Sequence, residues 1–144
     1  MSHLGAVALA AAAGLAAAVQ SSINATLGKA IGALSAALLT FLVSAVAGGA
    51  VILAFGRVDF GGLGSVPPFY WLGGVFGVGI VLAMILAVPR VGLAVATTAL
   101  VVAQLISAVV IDHFGLFGVP RLPVTPARLA GVALLLVALR LVFR

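Results

Sequence analysis

Two side-chain amides, Gln20 and Asn24, stand four residues apart in an otherwise apolar stretch, so a helix turns both to one face. Ser21 and Ser22 flank them. A carboxamide both donates and accepts hydrogen bonds, and in hydrocarbon it needs a partner. That partner is either another helix, with the amides as interhelical glue, or a substrate, with the amides as the wall of its cavity. Gln104 and Asp112 repeat the pattern eight residues apart, again on one face, with Ser107 and Ala108 close by. Asp112 is the only acidic residue in or beside the apolar segments, and the other carboxylate, Asp59, falls in a loop. Ionisable groups kept at membrane depth are costly and serve as anchors or working parts. Asp112 could carry a proton as a coupling or gating group, with His113 beside it sharing the role. Alternatively it pairs with an arginine of a loop or a second subunit, because a carboxylate at a helix C-terminus is electrostatically disfavoured without a cation nearby.

No other chemistry is on offer. The chain has no cysteine and only two histidines and two acidic residues, which leaves no Ser/His/Asp triad, no thiolate or His/carboxylate metal cluster and no phosphate-cradling loop. A membrane enzyme is therefore not expected, nor a metal or cofactor. Of the 144 residues, 65% are hydrophobic and 6% charged, against roughly 25% charged in a soluble domain. The mean hydropathy of +1.46 marks an integral membrane protein. The net charge of +5 comes from single basic residues scattered between apolar runs, which fits headgroup anchors and not a nucleic-acid surface. Met1-Ser2-His3 lacks the basic start of a cleavable signal peptide.

Spanning a bilayer takes about 20 mostly apolar residues. Five segments of one transmembrane domain, residues 1–144, are candidates: about 4–27, 30–55, 69–88, 91–111 and 127–143. Glycine, proline or charge marks each end, at Gly28-Lys29, Gly56-Arg57, Pro89-Arg90 and Asp112-His113. The loops Arg57–Pro68 and His113–Pro126 are long, and the other connections are tight enough for antiparallel hairpins. The fifth segment is short between Arg128 and Arg140, so the choice is between a fifth span, with Arg140 snorkelling, and an interfacial helix. Tyr70 and Trp71 open the third segment and fit an aromatic belt. Thr97 and Thr98 in the fourth are expected to bond back to their own helix. Gly73 and Gly77 form a small-xxx-small face suited to helix packing or sliding.

Alternation over five spans puts Arg57, Arg121 and Arg128 on the side of the N-terminus and Lys29, Arg90, Arg140 and Arg144 on the other. Three against four specifies almost no orientation. Either loop length or a partner protein fixes one orientation, or two copies inserted in opposite senses pair about an axis in the membrane plane, giving an antiparallel, dual-topology homodimer with ten helices arranged as an inverted repeat.

Four stretches, Val19-Gln20-Ser21-Ser22-Ile23-Asn24-Ala25-Thr26-Leu27-Gly28, Trp71-Leu72-Gly73-Gly74-Val75-Phe76-Gly77, Val88-Pro89-Arg90-Val91-Gly92 and Gln104 through Asp112-His113-Phe114-Gly115-Leu116, taken in order resemble the DUF606 (YdcZ-like) family of the drug/metabolite transporter superfamily. The resemblance runs over essentially the whole chain. It departs at Ala103-Gln104, where the family usually has Gly-Gln. It implies a bacterial inner-membrane protein of about five spans that forms half of a ten-helix transporter. The small multidrug resistance proteins, distant relatives by architecture, bind cations and protons with a membrane-embedded glutamate in their first helix. Here that region offers only Gln20 and Asn24, which suit a neutral or zwitterionic polar metabolite.

The expectation is thus an all-helical inner-membrane carrier of a small polar metabolite, partnered by a second copy of itself and the bilayer. Gln20, Asn24 and Gln104 would line the substrate site, with Asp112 and His113 as the coupling or gating pair. The alternatives are a dual-topology small ion channel, whose pore is lined by amides and aromatics, and a non-transporting membrane subunit of a larger complex.

Overall fold

The computed structural model describes residues 2–56, 58 and 60–143. Arg57, Asp59 and Arg144, which enter the reading above, lie outside the described residues. The chain is all-helical: α1 (His3–Ile31), α2 (Ala33–Phe55), α3 (Leu72–Val91), α4 (Leu93–Phe114) and α5 (Pro126–Val142), with short 3₁₀ turns at Leu63–Ser65, Pro68–Trp71 and Leu116–Gly118. His3–Ile31, Ala33–Phe55, Pro68–Val91 and Leu93–Phe114 are long and apolar enough to cross a membrane. The fifth helix forms as expected but has 17 residues, a rise of roughly 26 Å against a hydrocarbon core of about 30 Å.

Two helix ends differ from the sequence expectation. The first helix runs through Gly28-Lys29 to Ile31, and the third carries Pro89 within it and ends at Val91. Both stop one step later, at Gly32 (φ 85°, ψ 150°) and Gly92 (φ 84°, ψ 158°). That backbone region is essentially closed to residues with a Cβ, so glycine is what allows one residue to end one helix and start the next. Each glycine carbonyl accepts from the amide four residues on, Ala36 and Ala96, so it also begins the following helix. The ends suit their electrostatics: Lys29, Arg90 and Arg140 lie in last turns, where cations meet the negative end of the dipole. Thr125 caps α5 by accepting from the Arg128 amide at 3.3 Å, with Pro126 opening the helix.

The chain forms two compact units, Met1–Arg90 and Val91–Arg144. In the first, α1 and α2 make an antiparallel hairpin about Gly32. Its tightly packed part is the half nearest the turn, where Ala36, Ala37 and Ile85 are buried with Leu27, Ala33, Val81 and Leu82 around them. The small residues Gly28, Ala36 and Ala37 let the helices approach closely, which in lipid replaces the missing hydrophobic drive for association. In the second unit α4 packs on α5. Elsewhere large apolar side chains such as Leu53, Phe55, Phe76 and Leu134 point outward on the single chain, as a membrane-spanning helix requires.

Candidate substrate groove and loop latch

Asn24 is the one buried polar side chain among the described residues, at 7% exposure. It stands on α1 as far before Gly32 as Thr40 stands after it on α2, and the hairpin brings the two together. Thr40 Oγ1 donates to Asn24 Oδ1 at 3.0 Å and also reaches the Ala36 carbonyl at 2.8 Å. One helical turn further from Gly32 come Gln20 and Ser44. With Ile23, Leu27, Leu39 and Val43 these residues line an open groove of about 270 Å³. Counted at 1.5 Å per residue, Asn24 and Thr40 lie about 12 Å from the turn, which would be near mid-membrane were the turn at the edge of a hydrocarbon layer about 30 Å thick. The groove therefore offers four uncharged polar groups and four apolar ones, and no ionised side chain.

Of the expected substrate residues, the structure brings Gln20 and Asn24 into this groove. Gln104 belongs to the second unit, on an exposed stretch of α4. Along its own unit it stands twelve residues past Gly92. Thr40 and Ser44 were not anticipated. Their signal was there to find, as two hydroxyl residues at helical spacing in a long apolar run. Thr98 bonds back to the Ala94 carbonyl at 2.7 Å as expected, but the Thr97 hydroxyl does not, and its oxygen is buried without a partner. Among the described residues, no atom other than those of the adjoining residues and the helix's own nearby backbone lies within 4 Å of where a Cβ on Gly73 or Gly77 would stand. The close approach falls instead at Gly28, whose missing Cβ leaves room for the Ile85 Cγ2 methyl.

Asp112 and His113 sit in a different arrangement. Asp112 Oδ2 meets Arg128 at 3.3 Å, which supplies the cation that a carboxylate at the end of α4 needs. Arg128 also donates to the Leu122 carbonyl at 3.4 Å, while the Leu122 amide donates to the Asp112 carbonyl at 2.8 Å. His113 contributes twice: its carbonyl accepts from Arg121 Nε at 3.0 Å and its Nδ1 accepts from the Val124 amide at 3.3 Å. Together these bonds latch the proline-containing loop onto the end of α4 and fix where α5 starts.

Apolar helices of spanning length joined by a one-residue hairpin turn mark a multi-pass membrane protein. The comparison of families gives the particular one. The DMT_YdcZ family model, described as "Putative inner membrane exporter, YdcZ", matches residues 5–141, and the chain belongs to that family. It is thus a multi-pass protein of the inner membrane, and a membrane transporter is the class that family defines. No curated protein and no solved structure matches the chain.

Proposed function

We propose that the protein is a secondary transporter that exports a small, polar, uncharged or zwitterionic metabolite by alternating access between two oppositely oriented copies. The observation that carries this reading is the buried Asn24, paired with Thr40 at mid-depth in a groove that opens sideways from the α1–α2 hairpin. A polar groove facing hydrocarbon is unfavourable, and a second copy would cover it. Substrate then sits between the copies on Gln20, Asn24 and Gln104, and one copy rocks against the other to expose it to each side in turn. The open face at Gly73 and Gly77 suits a sliding contact with the second copy. The fifth helix completes the span with Arg140 snorkelling to the headgroups, so that each copy gives one five-helix domain. Asp112 and His113 serve as the gating pair through the latch they form, since releasing it frees the start of α5.

The test begins without a known substrate. Culture medium of cells overproducing the protein is compared by untargeted mass spectrometry with that of cells carrying Asn24→Ala or Gln104→Ala. A compound enriched by the unaltered protein and returned to background by both substitutions is the expected result, to be repeated as flux in proteoliposomes. Enrichment that survives both substitutions removes the site assignment. Orientation is tested in parallel. The chain has no cysteine, so Ser65→Cys and Phe143→Cys report cleanly to a membrane-impermeant maleimide on intact cells. Dual topology labels each to about half, whereas complete labelling of one and none of the other requires a fixed orientation and an oppositely inserted partner.

A further inference from the structure

The His113 ring is tied into the latch in a way that fixes its proton. Its Nδ1 lies 3.3 Å from the Val124 backbone nitrogen. A backbone N–H can only donate, so Nδ1 presents a lone pair and the neutral ring carries its single proton on Nε2. A second proton turns Nδ1 from acceptor into donor and sets it against the Val124 donor, so this bond cannot survive it. The rest of the loop's attachment has no such dependence. The Leu122 amide donates to the Asp112 carbonyl at 2.8 Å and Arg121 Nε to the His113 carbonyl at 3.0 Å, and both acceptors are backbone oxygens. Pro123 and Pro126 have no N–H to offer, so the Val124 amide holds the chain just ahead of Thr125, the cap of α5. The charged groups around the ring in this unit are Asp112 beside it on α4, Arg121 of the loop on its carbonyl, and Arg128 of α5 on Asp112. Asp112 is engaged by Arg128, and among side chains it is the imidazole whose ordinary titration falls between roughly pH 5 and 8, above that of a carboxylate. His113 is partly exposed, so water can deliver the proton.

Resting on the gating role proposed above, we infer that His113 Nδ1 is the proton-binding site of the latch, and that a proton there cuts the Val124 bond and loosens the entry to α5. The proton comes from water, and the Val124 N–H turns to water in exchange. Asp112 keeps Arg128 throughout and takes no part in the uptake. The closed latch requires a neutral ring, so it is shut at the upper end of the interval and opens as pH falls. The opening is local: Leu122 and Arg121 stay bonded to the end of α4 while Val124 lets go.

The chain holds two histidines, His3 and His113, so in His3→Gln protein the ring ¹⁵N signals belong to His113 alone. Those signals and the exchange of backbone amides are followed on the full chain in lipid nanodiscs from roughly pH 8 to pH 5, each exchange rate divided by that of an unstructured amide at the same pH. The expected result is an Nε2–H ring at the upper end. Protection at Val124 should then fall about tenfold, the scale of one lost neutral hydrogen bond, along the same curve as the ring titration, while protection at Leu122 holds. His113→Asn offers a carbonyl that takes up no proton, and should keep Val124 protected across the range. An Nδ1–H ring at the upper end, constant protection at Val124, a fall at Leu122 together with Val124, or a step that persists in His113→Asn overturns the inference. If His113→Asn does not hold the loop, the two curves of the His3→Gln protein decide by themselves. If the step at Val124 follows the ring while export is indifferent to His113→Asn, the latch binds its proton as inferred and the gating reading is the one that fails. If export needs His113 but Val124 shows no step, the gating reading stands and the inference falls.

Discussion

Asp112 and Arg128 face each other at 3.3 Å across the bend between α4 and α5, and the loop joining them is bonded back to the same short stretch of α4. Each side chain is about one-third exposed, 33% and 32%. Solvent screening therefore discounts the ion pair to about 0.2–1 kcal/mol, the scale of partly exposed pairs. Asp112→Asn and Arg128→Gln should each lower the thermal unfolding temperature in detergent slightly, and the double variant should be no worse than the poorer single one. Additive losses would show that the two residues act independently.

The His113 ring is the other half of the latch, and it works as an acceptor at Nδ1 toward the Val124 amide. Asparagine places a carbonyl oxygen near the position of Nδ1, whereas leucine leaves the amide without a partner. His113→Asn should keep Val124 protected from hydrogen exchange. His113→Leu should expose it and cost about 1–3 kcal/mol, the penalty of an unsatisfied partly buried donor. Equal protection in the two variants would mean the imidazole does not hold the loop.

The two junction glycines make a sharper case. Alanine at Gly32 or Gly92 must adopt a φ near 85° with an extended ψ, at a cost of about 1–3 kcal/mol. Gly14, by contrast, sits inside α1 with open space where a Cβ would go, and alanine there should stabilise by about 0.5–1 kcal/mol. Thermal unfolding of the three variants should rank Gly14→Ala above the unaltered protein and the other two below it. If Gly32→Ala ranks with Gly14→Ala, the tight turn is not held as described.

A Cβ on Gly28 would run into the Ile85 side chain. Gly28→Ala should destabilise by about 1–3 kcal/mol through overpacking, and Ile85→Ala by about 2–5 kcal/mol through the cavity it leaves. Together they should cost less than the sum, because the new methyl enters the space the isoleucine vacates. A coupling of about 0.5–3 kcal/mol in that direction marks direct contact, and strict additivity would separate α3 from this part of α1.

The sequence announced most of this fold. Long apolar runs punctuated by glycine, proline and charge located all five helices, since a helix satisfies its own backbone polar groups in an apolar setting. It misplaced the two ends that hinge on a choice between neighbouring breakers. Gly28 looks like a stop as much as Gly32 does, but Gly28 keeps helical backbone within α1, while Gly32 takes the positive φ that ends it. Pro89 likewise looks like a terminator, yet the helix continues through it to Val91 and ends before Gly92. In the groove, Gln20 and Asn24 stood out because amides are conspicuous in an apolar run. Thr40 did not, because a helical threonine satisfies itself on its own backbone, and nothing local says that the same hydroxyl also reaches α1. That Asp112 would find an arginine was foreseeable from the helix end, but which one depended on how the loop prolines fold Arg128 back.

The single-residue turn at Gly32 bears on how the protein is made. A helix leaving the ribosome is normally sorted by the charges that flank it before the next one emerges. Here no tether separates α1 from α2, so neither can settle across the membrane while the other waits outside. A one-residue junction favours entry of the pair as a hairpin, with one orientation set for both helices. Lys29, one helical turn from the apex, is the basic residue that weighs on that orientation. On the dual topology proposed above, a second lysine beside it should bias the copies toward one orientation.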